Sequence, residues 1–459
     1  MIPCPIQQNA RRFPDEPAIY SAEETISWKA LDARVGQMTL LLRRQGVEPG
    51  QRVAVLGPVN KHLVMILAAV WRLKAVACLF NTRLPKAVLQ DQIRVLSCQR
   101  MVHSSFPLLE EDPPVDKETR DWLLDPRQWA TIMFTSGSTA QPKAAVHTWG
   151  NHYYSALGSN ERLSFQPGRD CWLLSLPVFH VGGLSLLFRS FLSAGALMIP
   201  SASRTLSDVL RKEKKVTHVS FVSTQLYRLL RDDIDLSGLK VILLGGGAPP
   251  PALLREAGRR HWPVYRTYGL TEMSSQVATA APQDRRARIL PYREVRLSAD
   301  GEVWVRGATL FQGYLRDEGL DRSVFDPDGW FPTGDLGQME EDLLVIHGRK
   351  DAMFISGGEN IQPEEIERHL LDLEGVRQAL VIPVEDEEFG FRPVAFVRTD
   401  RRIPLMCLEN HLRSRLPGYK CPEAFYVWPD NLTGAGLKPS RRDVQAYLKA
   451  NKALDWPGA

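Results

Sequence analysis

With 459 residues, 44% of them hydrophobic and 24% charged, the chain has an ordinary globular composition and room for one large α/β unit plus a smaller one. A net charge of +4 is mild for that length, and no basic run with interleaved aromatics marks a nucleic-acid partner. Cys4, Cys78, Cys98, Cys171, Cys407 and Cys421 are scattered with no C-x-x-C pair, which argues for reduced thiols and against a disulfide framework or a thiolate metal site.

The opening MIPCPIQQNARRFPDEP is polar and proline-broken, without the apolar centre of a signal peptide. The longest apolar stretch, Leu63 to Phe80, carries Arg72 and Lys74, and Leu184 to Ile199 carries Arg189, so neither reads as a membrane span. A cytoplasmic protein with no membrane insertion is expected.

In chain order, RVAVL (52–56) is a β-branched strand, followed by an amphipathic helix from about Lys61 to Arg72. A strand at Ala75–Phe80, a helix over Pro85–Ser97 and a strand at Arg100–His103 continue the alternation. That pattern indicates βαβ units and a parallel sheet. The acidic, proline-containing segment 106–127 reads as an irregular connection. An apolar run, Ala130 to Phe134, leads into the polar stretch TSGSTAQPK (135–143), and a helix is expected near His147 to Arg162. Strands at 171–176, 216–222 and 240–246 alternate with helices at 181–193, at 224–230 and from Pro251. REVRLSADGEVWVRG (293–307) reads as a hairpin with a D-G turn, opening a β-rich stretch. Beyond Gly348-Arg349-Lys350-Asp351, a Gly-rich loop, a helix from Pro363, strands at 376–384 and 391–399, and helices at 404–416 and 441–451 form a compact α+β unit of ~110 residues. The expected fold is therefore α/β. A large N-terminal domain (1–349) of parallel-rich sheets, packed helices and a β-rich subdomain is followed by a small, mobile α+β C-terminal domain (350–459).

The stretch Thr135 to Lys143 sets closely spaced hydroxyls, an exposed glycine backbone and a cation in one loop, a combination that suits polyphosphate oxygens. It is not a Walker A loop, since no G-K-[ST] triplet opens a helix. Six further segments follow it in order: LPVFHVGG (176–183), GGGAPP (245–250), YGLTE (268–272), WFPTGDLG (330–337), GRKDAMFISGGENIQPEEIE (348–367) and GAGLKPSR (434–441). Over nearly the whole chain this set resembles the adenylate-forming superfamily of acyl-CoA synthetases, peptide-synthetase adenylation domains and firefly luciferase.

The resemblance implies a two-step reaction using ATP, Mg²⁺ and coenzyme A. A carboxylate attacks the α-phosphorus of ATP to give acyl-adenylate and pyrophosphate; a thiol then displaces AMP. It also implies site roles. Thr135, Ser136, Gly137, Ser138, Thr139 and Lys143 would hold the pyrophosphate. Thr271 would contact the α-phosphate and Glu272 ligate Mg²⁺. Tyr268, with Gly269 beside it, would stack on adenine opposite Gly246, Gly247, Ala248 and Pro249. Asp335 and Arg349 would hold the ribose. Lys438, with Arg441 at the usual spacing behind it, would bridge the substrate carboxylate and the α-phosphate. Asp351 would be the domain hinge, and Gly357 and Gly358 would line the pantetheine channel. The chain departs from the family at Ala140, where glycine is usual; if positive φ is required there, alanine costs about 1 kcal/mol. Each role has a plainer competitor: a core tyrosine, a helix-start acid at Glu272, a turn aspartate at Asp335, a solvated lysine at Lys438, a tight turn at Gly357 and Gly358.

For the acid, LLSLPVFHVGG, STQLYRLL, LLGGGAPP, SGGENIQPEEIE and the leucine before Lys438 look most similar to o-succinylbenzoate–CoA ligases of menaquinone or phylloquinone synthesis. The residues add one observation: Arg189 sits in an otherwise apolar helix, LSLLFRSFL. A pocket for a long aliphatic acid disfavours a desolvated guanidinium, whereas a second carboxylate pairs with one. A surface or salt-bridged arginine is the plain alternative. His180 is a candidate for the acyl pocket or a turn cap; Ser223, Thr224 and Gln225 are candidates for the pocket floor or a helix start. Other aryl or medium-chain acids, a stand-alone domain loading a carrier protein, and a non-catalytic nucleotide binder remain as rivals. No carrier domain follows residue 459, which disfavours the second of these. Retention of Lys438, Glu272, Asp335 and Arg349 disfavours the third. A homo-oligomer is compatible with everything above.

Overall fold

The computed structural model describes residues 1–82, 84, 86–106, 121–135, 142–282, 284, 286–317, 319–356, 359–386, 389–429, 441–450 and 456, with Asn360 and Arg442 described by backbone only. Ser136, Gly137, Ser138, Thr139, Ala140, Gly357, Gly358 and Lys438 lie outside the described residues. The chain divides into two compact units, one of Met1–Gly247, Arg260–Val295 and Val305–Phe331, the other of Ala248–Arg259, Arg296–Trp304 and Pro332–Ala459.

In the first unit one sheet holds Arg52–Leu56, Val76–Leu79, Arg100–His103 and Trp129–Thr135 in parallel. Lys143–Thr148 then pairs antiparallel with Trp129–Thr135, with Thr135 opposite Lys143, and Gly313–Arg316 adds to its other edge. The helix expected from about His147 accordingly begins at Trp149, because KAAVHT is taken into the sheet. Thr148 caps that helix in a reciprocal box with Asn151.

A second sheet runs parallel through Pro17–Tyr20, Ala196–Met198, Cys171–Leu173, His218–Val222, Val241–Gly245 and Val264–Leu270. Ser275–Ala280 and Ala287–Ile289 then continue it antiparallel. The helix Lys61–Arg72 is buried from Leu63 to Arg72. Apolar all round from Leu63 to Trp71 rather than amphipathic as expected, it belongs inside rather than on a surface, and the buried Arg72 at its end pairs with Asp32. Trp71, Trp149 and Phe188 pack ring against ring, which ties it to the helices Trp149–Leu163 and Val181–Ser193.

In the second unit Phe331–Glu340 pairs antiparallel with Leu343–Arg349. The three-stranded sheet of Val376–Asp386, Gly390–Thr399 and Ala424–Val427 carries helices Pro363–Asp372 and Leu405–Arg413 over Ile366, Leu370, Val381, Leu408 and Leu412. Pro363 opens its helix at the first position, with Glu364 and Glu365 in the first turn. Arg441 Nη1 and Nη2 lie 2.9 and 2.6 Å from Glu364 and Glu367, and its Nε donates to the Val381 carbonyl. Among the described residues, no helix is long and apolar enough to cross a membrane.

Candidate active site

The described ends of the phosphate-loop motif, Thr135 and Lys143, are partners across a hairpin rung. The neighbouring strand brings Tyr314 to Lys143, whose Nζ lies 5.2 Å from the ring centroid. The Tyr314 hydroxyl donates to Glu272 Oε1 at 2.6 Å. One aromatic side chain thus links the candidate pyrophosphate cation to the candidate metal carboxylate. Nothing around Tyr314 in the sequence announces this, because the contact with Glu272 spans more than forty positions.

Thr271 and Glu272 form a short 3₁₀ turn, Thr271–Met273, after the strand Val264–Leu270. Two contacts hold the turn: a ring nitrogen of the buried His147 donates to the Thr271 carbonyl at 2.7 Å, and Phe311 N–H donates to the Glu272 carbonyl at 2.7 Å. Burial pushes His147 down to about 4, against the pull of the Thr271 carbonyl. The imidazole is therefore neutral at physiological pH. Among the described residues no group of three or more His, Cys, Asp or Glu side chains could hold a metal. A carboxylate such as Glu272 suits Mg²⁺, which takes one or two carboxylates and fills its shell with phosphate and water.

Tyr268 stands half-buried on the same strand, next to Gly269. A Cβ at Gly269 would meet the Ser275 carbonyl oxygen at 2.1 Å, so the backbone there requires glycine. Gly246 and Gly247 leave the strand Val241–Gly245 with φ of 79° and 141°, conformations that fit glycine. Ala248 and Pro249 follow in the other compact unit.

In the second unit Asp335, Arg349 and Asp351 meet. Arg349 donates through Nε and Nη2 to both carboxylate oxygens of Asp351, at 3.0 and 3.1 Å. Its Nη1 reaches Asp335 Oδ1 at 3.2 Å and the Thr333 carbonyl at 2.8 Å. Burial lowers the Arg349 pKa, but the Asp351 hydrogen bond and the charges of Asp335 and Asp351 carry it above the ordinary value. Lys350, between them in sequence, points instead to Asp300 and Glu302 at 2.6 and 2.9 Å.

The acid-pocket candidates separate clearly. Arg189 is only 1% exposed, which removes the surface reading, and no acidic side chain pairs with it among the described residues. Nη2 donates to Gln276 Oε1 at 2.7 Å and Ser275 Oγ at 3.1 Å, while Nε and Nη1 have no acceptor among the described residues. Burial pulls the guanidinium down to about 9, still protonated at neutral pH. Ser223 is buried at the first turn of Ser223–Arg231 with its hydroxyl unpartnered among the described residues, and Thr224 is half-buried beside it. Gln225 is committed to structure, accepting from Val222 N–H and donating to the Ser175 carbonyl. His180 is exposed at the N-cap position of Val181–Ser193 without a side-chain cap bond, its ring 4.7 Å from Phe179. Tyr314, His147, Ser275 and Gln276 were not singled out from the sequence. Ser275 and Gln276 stand close behind YGLTE, but their joint approach to Arg189 depends on backbone angles that the sequence does not display.

Family models described as AMP-binding enzyme and AMP-binding enzyme C-terminal domain match residues 6–315 and 365–436. A 2–succinylbenzoate–CoA ligase of Salmonella typhimurium is 36% identical over 95% of both chains, and one of Escherichia coli is 35% identical over 93% of this chain and 94% of that one. Among solved structures, the o-succinylbenzoate CoA synthetase of Bacillus subtilis in complex with the acyl-adenylate intermediate OSB-AMP superposes with a TM-score of 0.84. It is 30% identical over 96% of this chain and 98% of that chain. The same enzyme in complex with ATP and magnesium ion gives a TM-score of 0.83 at 30% identity, over 93% and 95% of the two chains. The chain belongs to the AMP-binding enzyme family, in the branch that holds the 2-succinylbenzoate–CoA ligases.

Proposed function

We infer that the chain converts 2-succinylbenzoate, ATP and CoA into 2-succinylbenzoyl-CoA, AMP and pyrophosphate through an acyl-adenylate, as a step of menaquinone or phylloquinone biosynthesis in the cytoplasm. The observation that carries the substrate is Arg189. A buried guanidinium with unpaired N–H groups is costly unless an acceptor arrives, and the second carboxylate of a dicarboxylic acid is such an acceptor.

In the first step an oxygen of the acid carboxylate bonds to the α-phosphorus as the bond to the pyrophosphate oxygen breaks. Negative charge accumulates on the leaving pyrophosphate, next to Lys143 and the hydroxyls of Thr135, Ser136, Ser138 and Thr139, with Gly137 allowing close backbone approach. Thr271 orients the α-phosphate. Glu272 would hold Mg²⁺, which would supply charge neutralisation for the triphosphate when bound. Tyr268 and Gly269 face adenine across Gly246, Gly247, Ala248 and Pro249, and Asp335 accepts both ribose hydroxyls with Arg349 beside it. Lys438 spans the acid carboxylate and the α-phosphate. His180, Ser223 and Thr224 line the acid. In the second step the CoA sulfur bonds to the acyl carbon and AMP leaves. Residues 350–459 rotate about Asp351 relative to 1–349 so that Gly357 and Gly358 flank the pantetheine arm. Self-association into a homo-oligomer is compatible with this cycle.

ATP–pyrophosphate exchange over a panel of acids tests the reading. Exchange with 2-succinylbenzoate in preference to aryl and medium-chain monocarboxylates is expected; exchange with a monocarboxylate and none with 2-succinylbenzoate overturns it. Lys438→Ala should abolish exchange while sparing thioester formation from supplied acyl-adenylate.

A further inference from the structure

Arg189 lies over the Trp172 ring, 5.6 Å from its centroid, and its side-chain hydrogen bonds among the described residues run through one nitrogen only. Ser275 and Gln276 are consecutive residues opening the strand Ser275–Ala280, yet both side chains reach the same nitrogen, Nη2 of Arg189. In a regular strand, successive side chains point to opposite faces. Here Ser274 and Ser275 adopt φ of 55° and 132°, the second in a region that L-residues seldom occupy. The pairing register shifts at the same place, between Tyr268 and Gly269 on the facing strand. The local distortion turns two neighbouring polar groups onto one guanidinium.

Gln276 is itself fixed from several sides. Its Oε1 also accepts from Ser159 Oγ at 2.7 Å, and its Nε2 donates to Thr279 Oγ1 at 2.7 Å. Its backbone carbonyl accepts from Nε of the buried Arg293 at 2.7 Å. Arg293 donates through Nη1 to the Pro291 carbonyl and through Nη2 to the carbonyl and hydroxyl oxygens of Ser155, so each of its nitrogens already has an acceptor. The two buried guanidiniums thus differ: one has an acceptor at every nitrogen, the other keeps Nε and Nη1 without an acceptor among the described residues.

We propose that Ser275 and Gln276 are specificity-determining positioning residues, which clamp Nη2 of Arg189 so that Nε–H and Nη1–H stay committed to the second carboxylate of the acid. The clamp is neutral, and this matters. An acidic residue in its place would satisfy Arg189 internally and remove the selection for a dicarboxylate. The proposal rests on the reading of Arg189 in the preceding subsection.

The test compares 2-succinylbenzoate with 4-oxo-4-phenylbutanoate and 2-butanoylbenzoate, each of which lacks one of its carboxylates, in ATP–pyrophosphate exchange. Gln276→Glu places an anion against Arg189 and should raise KM for 2-succinylbenzoate by about tenfold or more, the scale of a lost charge-assisted bond. KM for whichever monocarboxylate is adenylated, and KM for ATP, should change less than about twofold. Ser275→Ala removes one donor-acceptor contact without adding charge and should shift KM for the dicarboxylate in the same direction by less; it serves where Gln276→Glu fails to fold, as judged by thermal melting. Equal changes for the dicarboxylate and the monocarboxylate, or no change for either, overturn the proposal. Wild-type enzyme separates the two readings. If it adenylates a different dicarboxylate, the substrate assignment falls and the clamp is measured on that acid; if it adenylates monocarboxylates alone, both fall.

Discussion

Replacing Arg189 by leucine should cost the enzyme its acid and cost the fold little, and that separation can be worked from the structure. The guanidinium is pulled from an ordinary 12.5 to about 9 by burial alone, which corresponds to about 5 kcal/mol against the charged form at ~1.4 kcal/mol per pH unit. Its two bonds to Ser275 and Gln276 return about 1.5–3 kcal/mol each, as hydrogen bonds to a charged group do. The two terms nearly cancel. Leucine leaves no orphaned acceptor at Gln276, whose Oε1 keeps Ser159, and it adds apolar burial worth about 1.5–3 kcal/mol. The unliganded variant should therefore unfold within about 2 kcal/mol of wild type, or later, in urea. In exchange assays its KM for 2-succinylbenzoate should rise roughly ten- to hundredfold, with KM for ATP held. A loss of more than about 3 kcal/mol of stability would show that Arg189 is a structural tie, and an unchanged KM would show that no carboxylate meets it.

Tyr314→Phe removes the hydroxyl that donates to Glu272, so the apparent Kd for Mg²⁺-pyrophosphate, read by calorimetry, should weaken by about tenfold; identical binding would return Tyr314 to packing alone. His147, neutral and buried with a value of about 4, sits below an ordinary 6.5, so between those pH values the unfolded chain binds a proton that the folded chain does not. The stability it contributes is complete above pH 6.5 and declines as pH falls toward 4, by about 3 kcal/mol in all. Urea midpoints at pH 7.5 and 5 should diverge more for wild type than for His147→Gln, and equal divergence would refute the assignment. Gly269→Ala drives a Cβ to 2.1 Å from the Ser275 carbonyl oxygen, and since that atom is backbone the strand pair must shift. Exchange activity should fall at least about tenfold with a lowered melting temperature; retention of both would mean that the pair yields freely.

Periodicity located the elements whose own residues decide them. Lys61–Arg72 and Val181–Ser193 carry continuous apolar faces and appear at the expected bounds, as does the β-branched strand Arg52–Leu56. Lys143–Thr148 escaped notice because KAAVHT has little strand character of its own; two neighbouring strands decide it. The candidate site divides along the same line. Thr271, Glu272, Asp335 and Arg349 were legible because they stand in short segments with recognisable order. Tyr314 and the Ser275–Gln276 clamp were not, since the first depends on a distant pairing and the second on two positive-φ serines. Arg189 lay between these cases: its charge in an apolar helix was visible, its half-satisfied state was not.

The rung that joins Thr135 to Lys143 has a further consequence. It makes the sheet the frame that carries Lys143. The position of Lys143 is set by ladder register, and slipping that register by one residue would turn its side chain to the opposite face of the sheet. A substitution that keeps this pairing leaves Lys143 on its own face of the sheet. The charge that Lys143 carries is thus placed by the sheet itself, through a pairing that two flanking strands hold.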